Sequence, residues 1–319
     1  MLPPTWRSYM FRAMGSQIVL WLDMADRAAA SVMFTQAEAL FAANEQVLSR
    51  FRPDSELSRL NSRSDIWTTT SDLLWQQIRL AVQMAAVTNG RFDPTLLNAL
   101  ERAGYDRSFE KLGQSGGNGH PTETKPLLGQ WAAIEFDEAR QAVRLPLGVR
   151  LDLGGIAKGD TAQQAVDLLQ TAGPCLVDAG GDLVAGSAPN GYPGWLVAIT
   201  APAVEPKDWA TIWLANAALA TSGVDYRRWV QNGVVQHHLI DPLTGNPAYT
   251  DVLTATVWAE SAAEAEAWAK ATLIAGSDAG AEGLLEHNLA GLIFKENGRV
   301  LATPRMDHLL GSQPMAIMA

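Results

Sequence analysis

The sequence predicts an α+β fold, mainly antiparallel sheets packed with helices. Three observations carry this. Strand-like and helix-like stretches mix without a regular βαβ alternation, and no internal repeat recurs. Short apolar runs flank turn-forming glycines, as in the stretch from Pro174 to Gly186, where Gly180-Gly181 is a two-residue hairpin signal. Of the 319 residues, 47% are apolar and 18% charged, which is enough apolar material for a substantial core.

The elements follow in order. Tyr9 to Met24 reads as two strand-like runs broken at Met14-Gly15-Ser16. Met33, Ala37, Leu40, Phe41, Leu48 and Phe51 recur at helical spacing, which predicts an amphipathic helix over Ala29 to Phe51. The polar stretch Arg52 to Asn61 is a loop with room for a helical turn. Ser71 caps a second helix to Thr88, with Asp72 in its first turn and Gly90 at its end. Phe92-Asp93-Pro94-Thr95 opens a third helix to about Ala103, with Asp93 as N-cap and Pro94 at the first helical position. Gly113 to Pro126, with His120, is a surface loop. Ala132 to Leu147 is a hairpin with a charged turn at Asp137-Glu138.

Next comes an apolar strand ending at Leu153, a Gly154-Gly155 turn, and a helix through Ala162, Ala165, Val166 and Leu169. Further strands are expected at Trp195 to Thr200, Thr211 to Leu214, Val234 to Ile240 and Leu253 to Trp258. Ser261 and Glu264 form a capping box for a helix to Ala275, stopped by Gly276. A short helix over Ala281 to His287 and a hairpin over Leu292 to Leu301 complete the chain.

Composition excludes several classes. Lys+Arg 24 against Asp+Glu 34 gives a net charge of −10, with no basic stripe, so nucleic acid is not the expected partner. The single cysteine, Cys175, lies in an apolar run and is expected to be a small core residue. No run is long enough to span a bilayer. The N-terminal residues lack a basic region, an apolar region and a cleavage site, so the chain as written reads as cytoplasmic, and as periplasmic if a leader was removed.

The Gly154–Gly159 turn presents backbone N–H groups and a helix start, which suit an anion. Lys158 stands there although the dipole disfavours a cation. A P-loop requires Gly-Lys-Ser/Thr, and here the order is Lys158-Gly159-Asp160. A dinucleotide fingerprint requires G-x-G-x-x-G, and the spacing here differs, which disfavours a nicotinamide oxidoreductase. An ordinary strand-to-helix turn is the plain alternative. Asp178 and Asp182 flank the Gly180-Gly181 turn, and Arg227 or Arg228 is within reach of a phosphate or is simply a solvated pair.

Seven stretches in this order resemble the ApbE family of FAD:protein FMN transferases, from about Phe11 to Ala302. They are Met14-Gly15-Ser16, Ser55 to Asn61, Phe92 to Thr95, Asp152 to Gly159, Gly180-Gly181-Asp182, Thr221-Ser222-Gly223 and His238 to Gly245. The resemblance implies an ApbE-like fold, residues 1–319 as one domain, with FAD in a cleft between two intimate subdomains. It implies cleavage of FAD between its phosphates, release of AMP, and transfer of FMN to a Ser or Thr hydroxyl of a target redox protein. Mg²⁺ usually assists such a step. By carry-over, His238 is the general base, and Met14, Glu56, Leu57, Ser58, Asp93, Asp160 and Ile240 line the FAD site. Strand alternation sets His238 and Ile240 on one face and His237 on the other. Asp160 stands where the family often has an aromatic residue.

The Ala157 carbonyl and Glu266 fall on the metal-ligand positions. The family's last motif is an aspartate with a threonine four residues on, and here it reads Glu266 and Lys270. Glutamate can hold Mg²⁺, whereas a lysine ammonium only donates and repels a cation. The plain alternative is a solvated helical Glu–Lys pair, favourable in that order. The sharper expectation is that the Lys270 ammonium takes the place of the metal. Two other functions stay open at this point: an FAD-binding pseudoenzyme or flavin carrier, and an FAD pyrophosphatase releasing FMN and AMP.

Overall fold

The computed structural model describes residues 5–112, 128–202, 207–231 and 233–311, and the expected loop Gly113–Pro126 with His120 lies outside them. Strands β1 (Trp6–Ala13) and β2 (Ser16–Asp23) form the first hairpin. Its turn residues Met14 and Gly15 both have positive φ, 50° and 68°, the two-residue turn whose twist suits a hairpin. Helix α1 (Arg27–Leu48) follows. Helix α2 (Glu56–Asn61) is capped by Ser55, whose hydroxyl accepts from Ser58 N–H. After β3 (Thr68–Thr69), helix α3 (Asp72–Val87) has the expected cap, with Ser71 accepting from Leu74 N–H.

Helices α4 (Leu97–Arg102) and α5 (Phe109–Leu112) lead to β4 (Glu135–Asp137) and β5 (Ala142–Arg144). Helix α6 (Ala157–Leu169) precedes β6 (Cys175–Ala179) and β7 (Asp182–Ala185), joined by Gly180 and Gly181 at φ 67° and 95° as the dipeptide predicts. Then come β8 (Trp195–Ala201), β9 (Lys207–Leu214), β10 (Ala217–Gly223), β11 (Arg228–Gln231), β12 (Val234–His237) and β13 (Val252–Ala259). The chain closes with α7 (Ala262–Ala275), α8 (Ser277–Glu286), β14 (Ala290–Lys295), β15 (Val300–Ala302) and α9 (Pro304–Gly311). Ser261 caps α7 by accepting from Glu264 N–H, and Gly276 ends it at φ 84°.

Two compact units share these elements. The first takes Met1–Phe41, Gly159–Gly223 and Thr250–Ala319. Its frame is an eight-stranded sheet in the order β1-β2-β6-β7-β10-β13-β14-β15, with every neighbour antiparallel. Trp195, Ile212, Leu214, Leu292, Phe294 and Met306 pack together on one face, joining the β8–β9 hairpin and α9 to the sheet. Leu284 of α8 lies against Gly291 on the opposite face, where an added Cβ would sit 2.3 Å from it. Helix α7 is buried nearly all round, including Glu266, and apart from Glu264, Glu266 and Lys270 its sequence is almost wholly apolar or small. Cys175 is fully buried in this unit, and burial pushes its thiol up to about 12.

The second unit takes Ala42–Lys158 and Val224–Tyr249. It holds the small antiparallel sheet β3-β5-β4, the β11–β12 hairpin and the short helices. Leu96, Leu100, Tyr105, Trp229 and Ile240 form its core around α4, and Trp229 donates its indole N–H to Ala103 O at 2.8 Å.

Four expectations are corrected here. The run ending at Leu153 is not a strand beyond Arg144. It turns at Pro146–Val149, with Gly148 at φ 76°, and then buries Val149, Leu151 and Leu153, the backbone of Leu151 being satisfied by a side chain. Leu151 N–H donates to Asn61 Oδ1 at 2.7 Å and Leu151 O accepts from Asn61 Nδ2 at 2.9 Å. Asp93 is not an N-cap, since α4 starts four residues later behind Leu96. Strand β12 stops at His237, so His238 lies past its end and alternation does not set its direction. Helix α9 follows the last hairpin, where no helix was expected.

Candidate functional site

The turn into α6 is closed by the protein's own groups. Gly154 N–H donates to Asp152 Oδ1 at 2.7 Å. Ile156 and Ala157 N–H both donate to Leu153 O, at 3.1 and 2.8 Å. Gly159 N–H donates to Glu266 Oε2 at 3.2 Å. These amides, expected from sequence to cradle an anion, therefore hold carboxylates and a carbonyl of the chain itself.

Asp152 is held from its other side. Arg50 Nε lies 3.0 Å from Asp152 Oδ2, with side chains only 5% and 16% exposed. Arg50 Nη1 donates to Tyr105 O at 3.0 Å, and the guanidinium lies over the Phe51 and Tyr105 rings. Such a pair needs its hydrogen bonds, because burying two charges is costly. Tyr105 also stacks on Trp229 at 5.4 Å between centroids and meets the His238 ring edge-on at 6.3 Å. Burial raises its phenol. Arg50 and Tyr105 were missed in the sequence because their partners are far along the chain.

The remaining residues carried over to this unit have mixed settings. Asp93 is 8% exposed and accepts from Thr95 N–H, Thr95 Oγ1 and Gly129 N–H at 2.7, 2.5 and 3.2 Å. Burial raises its carboxyl above the usual range, and these hydrogen bonds oppose the rise. Both Glu56 oxygens are taken by Ser71, at its N–H and hydroxyl, each at 2.6 Å. Leu57 is fully buried, and Ser58 is half-buried beside its cap. Ile240 is buried and bridges Pro247, setting the turn at Asp241 to Asn246. His237 is buried, with Nε2 2.9 Å from Ala248 O and Nδ1 accepting from Leu239 N–H at 3.3 Å. That pattern assigns the proton to Nε2. An open hollow of ≈ 490 Å³ beside the hairpin is lined by Val234, Gln236, Asp241 and Tyr249, among others, and by none of the carried-over residues.

On the first unit, Met14 sits at the β1–β2 turn. Asp160 is in the first turn of α6 and accepts from Gln164 at 2.7 Å. Asp182 accepts from Thr221 N–H at 3.2 Å. Glu266 is 1% exposed, which rules out a solvated Glu–Lys pair. Lys270 Nζ lies 3.9 Å from Glu266 Oε1 and donates to Glu266 O at 3.2 Å.

This donor set does not fit a divalent ion. Mg²⁺ requires about six oxygens in near-octahedral array. Here one carboxylate is already bonded to an amide and faces an ammonium. Among the described residues no group of three or more His, Cys, Asp and Glu side chains is placed to hold a metal. No helix among them is long and apolar enough to cross a membrane.

An antiparallel α+β chain whose two compact units each draw on separate stretches of the sequence, with a glycine turn entering α6, defines a known fold class. A crystal structure of an ApbE protein from Thermotoga maritima superposes with a TM-score of 0.83, at 24% identity, over 96% of this chain and 99% of that one. The model of the ApbE family matches residues 14–293. The FAD:protein FMN transferase of Treponema pallidum is 30% identical over 254 residues, covering 73% of this chain and 68% of that protein. That of Chlamydia trachomatis is 33% identical over 245 residues, 71% of each. The chain belongs to the ApbE family.

Proposed function

We propose that this chain is an FAD:protein FMN transferase, acting as one domain on FAD and a target protein. The observation that carries the reading is the family match over residues 14–293, joined by relatives named for this reaction at 30% and 33% identity. The hydroxyl oxygen of an acceptor Ser or Thr attacks the phosphorus of the FMN half of FAD. The bond from that phosphorus to the bridging oxygen breaks. AMP leaves with the oxygen and its electron pair, and a phosphoester joins FMN to the target.

Each residue carried over from the family has a part. His238 takes the hydroxyl proton. A histidine suits this task because its ordinary pKa is near neutrality. Tyr105, edge-on to its ring, limits the ring's motion. Met14, Glu56, Leu57, Ser58, Asp93, Asp160 and Ile240 contact FAD. Glu56 acts there as an anchored group, since Ser71 holds both its oxygens. Ala157 opens α6 two residues before Gly159, and its carbonyl oxygen serves there as an acceptor for a cationic group rather than for the diphosphate itself. No step is routed through a divalent ion, because the Glu266 surroundings do not fit one.

The test is direct. Purified chain is mixed with FAD and a target protein carrying an acceptor threonine. Mass spectrometry is expected to find FMN on the target and one AMP released per adduct. FMN and AMP formed without target identify a pyrophosphatase, and bound FAD with no adduct identifies a carrier. His238→Ala is expected to keep FAD binding and to lose transfer by about 10²-fold or more.

A further inference from the structure

Glu266 and Lys270 are two residues that the transfer chemistry above leaves unused, and they lie one turn apart on α7 as an ion pair. The Glu266 carboxylate is buried, with one oxygen on the N–H of Gly159 in the first turn of α6. Lys270, one turn further along α7, brings its ammonium to 3.9 Å from the other oxygen and bonds the Glu266 carbonyl at 3.2 Å. Its side chain is 17% exposed, so the charge is neither solvated freely nor sealed in. No side chain fits between Glu266 and α6. A Cβ on Gly159 would stand 2.5 Å from Glu266 Oε2 and 3.3 Å from the Ala262 Cβ.

A positive charge fixed beside a buried carboxylate at a helix start does what a bound cation does there. It balances the charge of the carboxylate, and an ammonium is by its chemistry a donor to phosphate oxygens. We propose that the Lys270 ammonium is a built-in cation for the diphosphate of FAD, so that flavin binding in this chain is independent of Mg²⁺. The inference rests on the flavin-transfer reading. An ammonium binds phosphate oxygens as a point charge with three donors and needs no oxygen cage. A divalent ion on the same carboxylate would meet that ammonium's repulsion, so the two are alternatives.

The experiment compares chelator-treated wild type, Lys270→Met and Lys270→Thr, with circular dichroism melts as the check on folding. Mg²⁺ binding is read by calorimetry without flavin, and FAD affinity by quenching of tryptophan fluorescence. Wild type is expected to give no Mg²⁺ isotherm and to bind FAD within about twofold the same in chelator or millimolar Mg²⁺. Lys270→Met is expected to lose about tenfold or more in FAD affinity. Lys270→Thr is expected to show the same loss in chelator and to recover part of it with Mg²⁺. A wild-type FAD affinity that rises about tenfold with Mg²⁺ overturns the inference alone. So does a folded Lys270→Met that binds FAD like wild type. Failure of wild type to bind FAD in either condition overturns the flavin reading and the inference with it.

Discussion

Gly159→Ala is the sharpest probe of the junction between α6 and α7. In an open helix the change is favourable by about 0.5–1 kcal/mol, because glycine loses the most entropy on folding. Here the new methyl meets Glu266 Oε2 at 2.5 Å, its Cδ at 2.9 Å and the Ala262 Cβ at 3.3 Å. The carboxylate has no exit to solvent, being 1% exposed. Overpacking of this kind costs about 1–3 kcal/mol. Displacing the carboxylate also weakens a charge-assisted bond from the Gly159 amide, a class worth about 1.5–3 kcal/mol when lost entirely. With half of that bond lost, the net effect is a destabilisation of about 2 kcal/mol, equivalent to roughly 3 °C in Tm for a chain of this length. The assay is a thermal and urea melt followed by circular dichroism. Glu266→Asp draws the carboxylate back by one methylene, so the double variant is expected to be more stable than the two single losses predict. A Gly159→Ala protein that melts at or above wild type would refute the close approach of α6 and Glu266.

Three further outcomes follow from buried or paired charges. Arg50→Ala leaves Asp152 without its guanidinium and is expected to cost about 3–5 kcal/mol in urea melts; Arg50→Lys, lacking the planar fork, should recover only part. His237 is held neutral by burial, which lowers its pKa, and by its contacts to Ala248 and Leu239. The unfolded chain therefore takes up this proton first, so stability should fall as pH drops below about 6.5, by up to about 1.4 kcal/mol per pH unit until the folded pKa is passed. His237→Gln should lack that limb, and equal pH slopes for the two proteins would sink the assignment. Asp251 accepts from Lys295 at 2.9 Å and from Ser277 N–H and Oγ at 2.9 and 2.6 Å, which hold its carboxyl well below the usual range. Its contribution is present above the unfolded pKa of about 3.9 and fades as pH falls toward the folded value. Asp251→Asn should therefore cost about 1 kcal/mol near neutrality, a cap-sized loss, and flatten the acid limb of the melt profile.

What the sequence made legible was local. Ser71 and Ser261 cap helices at the positions their hydroxyls predict, and Gly180-Gly181 turns because only a few residues tolerate two consecutive positive φ values. What it hid was chemistry between distant segments. The stretch before Gly154 alternates like a strand, yet its partner is the amide of Asn61, 90 residues earlier. Alternation reports burial on one side and says nothing about which group satisfies the backbone. Asp93-Pro94 is the same kind of false friend, since an aspartate that caps a helix also caps a turn, and here it serves Thr95 and Gly129. The motif order identified the family before any geometry was available, and so placed Glu266 and Lys270 in view. Only the fold showed that Glu266 reaches 107 residues back to Gly159. That contact decides between the two readings of the Glu–Lys spacing. A solvated i,i+4 pair is worth a few tenths of a kcal/mol and would tolerate most substitutions. A carboxylate enclosed between a glycine amide and an ammonium tolerates neither a methyl on the glycine nor the loss of the charge that balances it.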